Sequence, residues 1–196
     1  TLCDGMAACG QPAQFQGLHF YRHMQGQPLT ESPLKTRSDP MRRQLLGWLG
    51  SARNALVLGY DTGHLILSAL LLDPDLRIAA TDARRWPFEG DPNAPARARY
   101  VPLACEWLAN RFPDRLVIRD EAEPSFLATA GKEAAPEGGY DLVLFADADV
   151  PALRSLTLAR GLLSPDAVVV AASAQGDGGR RFSDRLRLQG LCHQDI

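Results

Sequence analysis

The sequence lacks any run of about eighteen apolar residues long enough to cross a bilayer, and no signal-peptide pattern is visible. Both absences point to a chain that works away from the membrane. Cysteine is sparse. Cys3, Cys9, Cys105 and Cys192 are scattered without metal-ligand spacing, and Cys3 and Cys9 read as free thiols rather than a disulfide framework. That pattern favours a reducing, cytoplasmic compartment. An excess of one charge is lacking too: 21 basic and 23 acidic residues leave a net charge of −2, so nothing announces a nucleic-acid or membrane-surface partner. No internal repeat and no second domain are visible. With 196 residues and an apolar content of 45%, the chain can bury the core of one α/β domain without cross-links.

What is present is organised around Ala55-Leu-Val-Leu-Gly59-Tyr60-Asp61-Thr-Gly63-His64. An apolar run ends in two glycines four positions apart, and a second apolar stretch of helical length follows. A strand, a tight glycine turn and a helix make a place where a ligand meets bare backbone and a positive helix N-terminus. Eighteen residues after Gly63 stands Thr81-Asp82, closing a second apolar run. The pairing points to a nucleoside-containing cofactor.

Taken in order, residues 1–37 are dense in Gly, Pro, Gln and Ser and predict a mostly irregular arm, with a short helix near 18–24. His19, Phe20, Tyr21, Arg22 and His23 form a cluster suited to a lid or to stapling the arm onto the domain. The α/β domain proper is expected over 38–196. Asp39-Pro40 reads as a helix start, with Leu45, Leu46, Trp48 and Leu49 as its apolar face and Gly50 as its stop. Strands are expected at 55–58, 76–81, 116–119, 140–146 and 167–172, with 186–191 as a candidate sixth. Between them, helices are expected at 62–72, around Tyr100, Leu103, Ala104, Trp107, Leu108 and Phe112, near 124–130, and at 151–163. Residues 86–97 and 131–139 read as loops, and Ser164-Pro165-Asp166 as a turn.

Strands alternating with helices predict a doubly wound, Rossmann-like, mostly parallel sheet with helices on both faces. Such sheets bind ligands at the carboxyl ends of their strands, beside the point where strand order reverses. Gly59, Asp82, Asp120 and Asp147 each fall just past an apolar strand. Asp61 stands where a GxGxxG fingerprint needs its middle glycine. An anionic turn is a poor neighbour for a pyrophosphate and a good one for a cation. S-adenosylmethionine carries a sulfonium and an ammonium and no phosphate, so the turn favours it over NAD. Asp82 suits the ribose hydroxyls and Asp120 the adenine amino group, with residues 83–86, beginning at Ala83, as a flanking apolar surface.

These residues resemble the class I S-adenosylmethionine-dependent methyltransferases over about 54–172. Residues 54–64 resemble the family's first motif, which lies under the methionine part of the cofactor, with Val57 in place of its usual acid and Asp61 in place of its middle glycine. Asp82 matches the ribose-binding acid, Asp120 the acid near adenine, and Tyr140-Asp-Leu-Val-Leu-Phe-Ala-Asp147-Ala-Asp149 the motif beside the transferred methyl. Residues 100–116, with their Phe112-Pro113 turn, are similar to small-molecule methyltransferases. Asp147-Ala-Asp149 is also similar to the Asp-Ala-Asp of cation-dependent O-methyltransferases. Those place an Asp-Asn pair after the fifth strand, where this chain has Ala172-Ser173-Ala174-Gln175, so no metal is expected.

The resemblance implies methyl transfer to an oxygen or nitrogen of a small-molecule acceptor, with Gly59, Tyr60, Asp61, Gly63, Asp82, Ala83 and Asp120 at the cofactor and Asp147 as the general base. For Asp147 a helix-capping role is the competing reading, for Asp120 a solvated acidic loop, and for His64 packing against the turn. The cluster Arg180, Arg181, Arg185 and Arg187 reads as a solvated face or an acceptor-attracting one. Val57 and Asp61 also fit a methyltransferase-like module that has lost catalysis and serves binding or assembly. A nucleotide-dependent oxidoreductase is a third reading, and an arm exchanged within a homodimer is compatible with all three.

Overall fold

Val143, on an inner strand of the sheet, is fully buried, as are its neighbours along the strand, because both faces of that strand are covered by helices. The computed structural model describes residues 2, 5, 8–9, 47–48, 50–59, 63–81, 94–145 and 150–171. Five strands run parallel: β1 (Asn54–Leu58), β2 (Arg77–Thr81), β3 (Leu116–Arg119), β4 (Tyr140–Phe145) and β5 (Leu163–Ala171). Their order across the sheet is β3-β2-β1-β4-β5, so strand order reverses between β1 and β4. The connecting helices are α1 (His64–Leu72), α2 (Ala94–Arg111), α3 (Glu123–Ala128), the single-turn α4 (Ala130–Glu133) and α5 (Val150–Ala159), the last continued by a 3₁₀ turn over Arg160–Leu162. The doubly wound parallel sheet is therefore present as expected.

The two-residue period of a strand sorts its side chains into two layers. Ala55, Val57, Ile78, Ala80, Leu116, Ile118, Leu142 and Leu144 face one core, completed by α1 and α2 and by Leu2 and Cys9 near the start of the chain. Leu56, Leu58, Ala79, Val143 and Phe145 face the other, completed by Phe126 and Leu127 of α3 and Leu156 and Ala159 of α5. Tyr140 opens β4 only 2% exposed, and the loss of hydration pushes its phenol pKa up to about 12.

Several sequence expectations shift. Leu2, Gly5 and Ala8 are helical rather than irregular, and Leu2 and Cys9 are buried. Gly50 does not stop its helix, which includes Ser51; the Ser51 hydroxyl and the Ala52 N–H both donate to the Trp48 carbonyl and close it there. On α2, Tyr100, Ala104 and Leu108 form the buried stripe at four-residue spacing, whereas Leu103 is 50% and Trp107 37% exposed. Each lies one position, about 100° of helix, off that stripe. Residues 131–139 are not all loop, since α4 takes up their start. Ser164-Pro165-Asp166 belongs within β5. Tyr140 and Leu142 pair with Leu163 and Val168, so the proline is accommodated in an irregularity of the ladder. The predicted helix near 18–24, the lid cluster, the sixth strand and the Arg180 to Arg187 cluster lie outside the described residues.

The opposite end of the sheet from the expected site is fixed by side chains. Asp141 accepts hydrogen bonds from the backbone N–H groups of Arg53 (2.9 Å) and Asn54 (3.0 Å), which ties the start of β4 to the start of β1. Arg115 donates to the carbonyls of Leu70, Asp73 and Pro74 at 2.8 to 3.0 Å, satisfying the end of α1 and the turn behind it. Its guanidinium lies over the Phe112 ring, 5.2 Å from the centroid.

Candidate cofactor site at the carboxyl ends of the strands

Gly59 follows β1 at the β1–β4 boundary, where strand order reverses. Its φ of 84° lies in the left-handed region that glycine adopts without strain. Its N–H donates to the Thr81 carbonyl at 2.7 Å, which carries the β1–β2 ladder one step past the strand before the chain turns away. Gly59 is half-buried and has no Cβ, so its backbone lies bare at the end of the strand. That fits a ligand lying close against the turn.

Gly63 is also left-handed, at φ 77°, and caps α1, with its carbonyl accepting the Leu67 N–H at 2.9 Å. It is buried. A Cβ built on it would lie 2.7 Å from Leu108 Cδ1 and 3.8 Å from Leu2 Cδ1. This face of the second glycine of the turn is therefore pressed against α2, a packing requirement that spacing alone does not reveal.

Thr81 ends β2 fully buried, and its hydroxyl donates to the Glu121 carbonyl at 2.6 Å. This bond, which the sequence reading missed, fastens the loop after β3 to the end of β2. A polar residue at the end of an otherwise apolar strand is the signal that points to it. Glu121 in turn accepts from the Ser125 hydroxyl at 3.0 Å in the first turn of α3. Asp120 sits between β3 and this anchor, exposed, at the same edge of the sheet as Gly59. Of the predicted site residues, the structure thus brings Gly59, Gly63 and Asp120 to one end of the sheet. Tyr60, Asp61, Asp82, Ala83 and Asp147 lie outside the described residues, each next to or within a few positions of a described strand end. Among the described residues, no three His, Cys, Asp or Glu side chains group as metal ligands. Nor is any helix among them long and apolar enough to cross a membrane.

A cavity of about 330 Å³ lies elsewhere, between the N-terminal helical residues and the outer side of α2. Leu2, Gly5, Leu103, Glu106 and Trp107 are among its lining residues, and no strand residue contributes.

No family model matches the chain, and no curated protein matches it. Solved structures do. A precorrin-6y C5,15-methyltransferase from Geobacter metallireducens superposes with a TM-score of 0.54 at 16% identity, covering 80% of this chain and 74% of that one. Cofactor-bound Rv0187 from MTB superposes with a TM-score of 0.55 at 17% identity, over 96% of this chain and 75% of that one. A proposed O-methyltransferase from Klebsiella pneumoniae gives a TM-score of 0.52 at 12% identity, over 95% and 76%. Two other matched structures are spanned over only 54% and 42% of their length. The fold is that of the class I S-adenosylmethionine-dependent methyltransferases.

Proposed function

We propose that the protein transfers a methyl group from S-adenosylmethionine to an oxygen or nitrogen of a small-molecule acceptor, without a metal. The observation that carries this reading is the left-handed Gly59 closing β1 at the point where strand order reverses. Asp61 in the same turn selects among ligands of that site, since a carboxylate repels a pyrophosphate and attracts a cation. In this reading Gly59, Tyr60 and Asp61 hold the methionine part, with Asp61 accepting from its ammonium. Gly63 acts from behind, by seating the turn on α2. Asp82 accepts from the ribose hydroxyls, and Ala83 and Asp120 flank the adenine.

When bound, the cofactor supplies an electrophilic methyl on a sulfonium. The chain's part is to hold the acceptor in line with that methyl and to exclude water. Asp147 takes the acceptor's proton where a hydroxyl or an ammonium must lose one. The Geobacter methyltransferase and the proposed Klebsiella O-methyltransferase share this fold, which supports the reaction class.

Calorimetric titration with S-adenosylmethionine, its demethylated product and NAD tests the reading. Both sulfur compounds should bind and NAD should not, and Asp82→Ala should weaken binding about tenfold or more through loss of charge-assisted bonds. A folded protein that binds neither sulfur compound overturns the proposal. Binding without turnover on any oxygen or nitrogen acceptor would point instead to a binding module on the same fold.

A further inference from the structure

The N-terminal helical segment touches the glycine turn. Three proximities lay it along α2: the Cys9 carbonyl accepts from Arg99 Nη2 at 3.1 Å, Gly5 lies beside the Tyr100 ring, and Leu2 lies with Leu108 beside Gly63. Residue numbers fall along the segment as they rise along α2, so it runs antiparallel over roughly 14 Å of helix. Leu2 is 3% exposed. The cavity of about 330 Å³ lies between Leu2 and Gly5 of this segment and Leu103 and Trp107 of α2.

We infer that Leu2 is a positioning residue for the cofactor turn, acting together with Leu108 on Gly63. The inference rests on the turn at 59–63 being the cofactor turn. Gly63 caps α1, so its placement sets where the first N–H groups of that helix point. Leu108 and Leu2 together close the space in front of the Gly63 Cα, their Cδ1 atoms 2.7 and 3.8 Å from where a Cβ would stand. Withdrawing Leu2 opens that space and gives the turn room to move. Docking of the segment on α2 and ligand binding at the turn are thereby coupled, each favouring the other by the same factor.

The test compares Leu2→Ala with Leu127→Ala, whose side chain is buried in the core on the opposite face of the sheet. Hydrogen exchange is read at the amides of 63–67, each variant at the same interval below its own Tm, and S-adenosylmethionine affinity is measured by calorimetry. Leu2→Ala should speed exchange at 63–67 and weaken binding about threefold to tenfold, the usual span of coupling through one packed contact. Leu127→Ala should do neither, and Leu2→Met should restore both. Native exchange rates at 63–67 in Leu2→Ala, or equal acceleration in Leu127→Ala, overturn the inference. If the native protein binds no S-adenosylmethionine while the exchange pattern holds, positioning of the turn stands and the cofactor reading falls.

Discussion

The two ends of the sheet use their residues in opposite ways. At the amino ends of the strands, charged side chains are committed to backbone: Asp141 accepts two N–H groups, and Arg115 donates to three carbonyls. At the carboxyl ends, the described residues that shape the edge are two left-handed glycines, a buried threonine bonded to a carbonyl, and the exposed Asp120. A carboxylate saturated by its own backbone has little left for a ligand. Glycine backbone without a side chain leaves room for one to approach. Side chains tie down the amino ends, and the carboxyl ends are where the proposed cofactor site lies.

The sharpest way to break that division is to add one methyl at each end. Gly139, at φ 87°, precedes β4, and a Cβ there would lie 2.7 Å from Leu163 and Ser164 backbone atoms that cannot yield. Gly139→Ala should cost about 3–4 kcal/mol in urea unfolding, combining left-handed strain with overpacking. Gly63→Ala should cost about 2–3 kcal/mol, because it meets the end of the Leu108 side chain, which can shift. The two should part in calorimetry: Gly63→Ala weakens S-adenosylmethionine binding, and the folded fraction of Gly139→Ala binds as the native protein does. Equal losses of affinity would erase the distinction between the ends.

Next in size is a pH effect at the amino end. Tyr140 has its pKa raised from 10.0 to about 12 by burial, so between those values the unfolded chain has released a proton that the folded chain retains. The folded state then binds more protons, and stability falls as pH rises. This contribution is complete below pH 10 and is lost by about pH 12, amounting to about 2–3 kcal/mol. Denaturant unfolding at pH 9 to 12 should show this slope, and Tyr140→Phe should remove its share.

Asp141→Ala should lower stability by about 2 kcal/mol by orphaning two N–H groups, and Asp141→Asn by about 1 kcal/mol, since one oxygen remains. Calorimetry on either variant should find cofactor affinity unchanged. Smallest is Thr81→Val, at about 1 kcal/mol from the unpaired Glu121 carbonyl. Because that bond anchors the loop beside Asp120, this variant alone among the small ones should also weaken binding, by about twofold to threefold.

Four of the strands were legible because strands covered on both faces read as near-continuous apolar runs, here at 55–58, 76–81, 116–119 and 140–146, whereas their order across the sheet was not. Gly59 and Asp120 were legible as positions just past those runs. Other features depend on partners far away in sequence. Asp141 meets Arg53 and Asn54 across 88 and 87 positions, and Arg115 meets Leu70 across 45, distances at which no local pattern survives. The exposed Leu103 and Trp107 show the same limit from the other side. Their apolar character matches the helical period, but which stripe faces inward is decided by what packs against α2. Gly63 was found for one reason and is constrained by another. The spacing marked it as a turn residue, whereas its clearance from Leu108 is a tertiary fact.

Cys9 is 7% exposed and sits at the end of the segment bearing Leu2, with its carbonyl held by Arg99. Its sulfur can meet an alkylating reagent only when that segment lifts from α2. The protein therefore carries its own stopwatch: the labelling rate at Cys9, set against that of the half-buried Cys105 on α2, counts how often the start of the chain lets go.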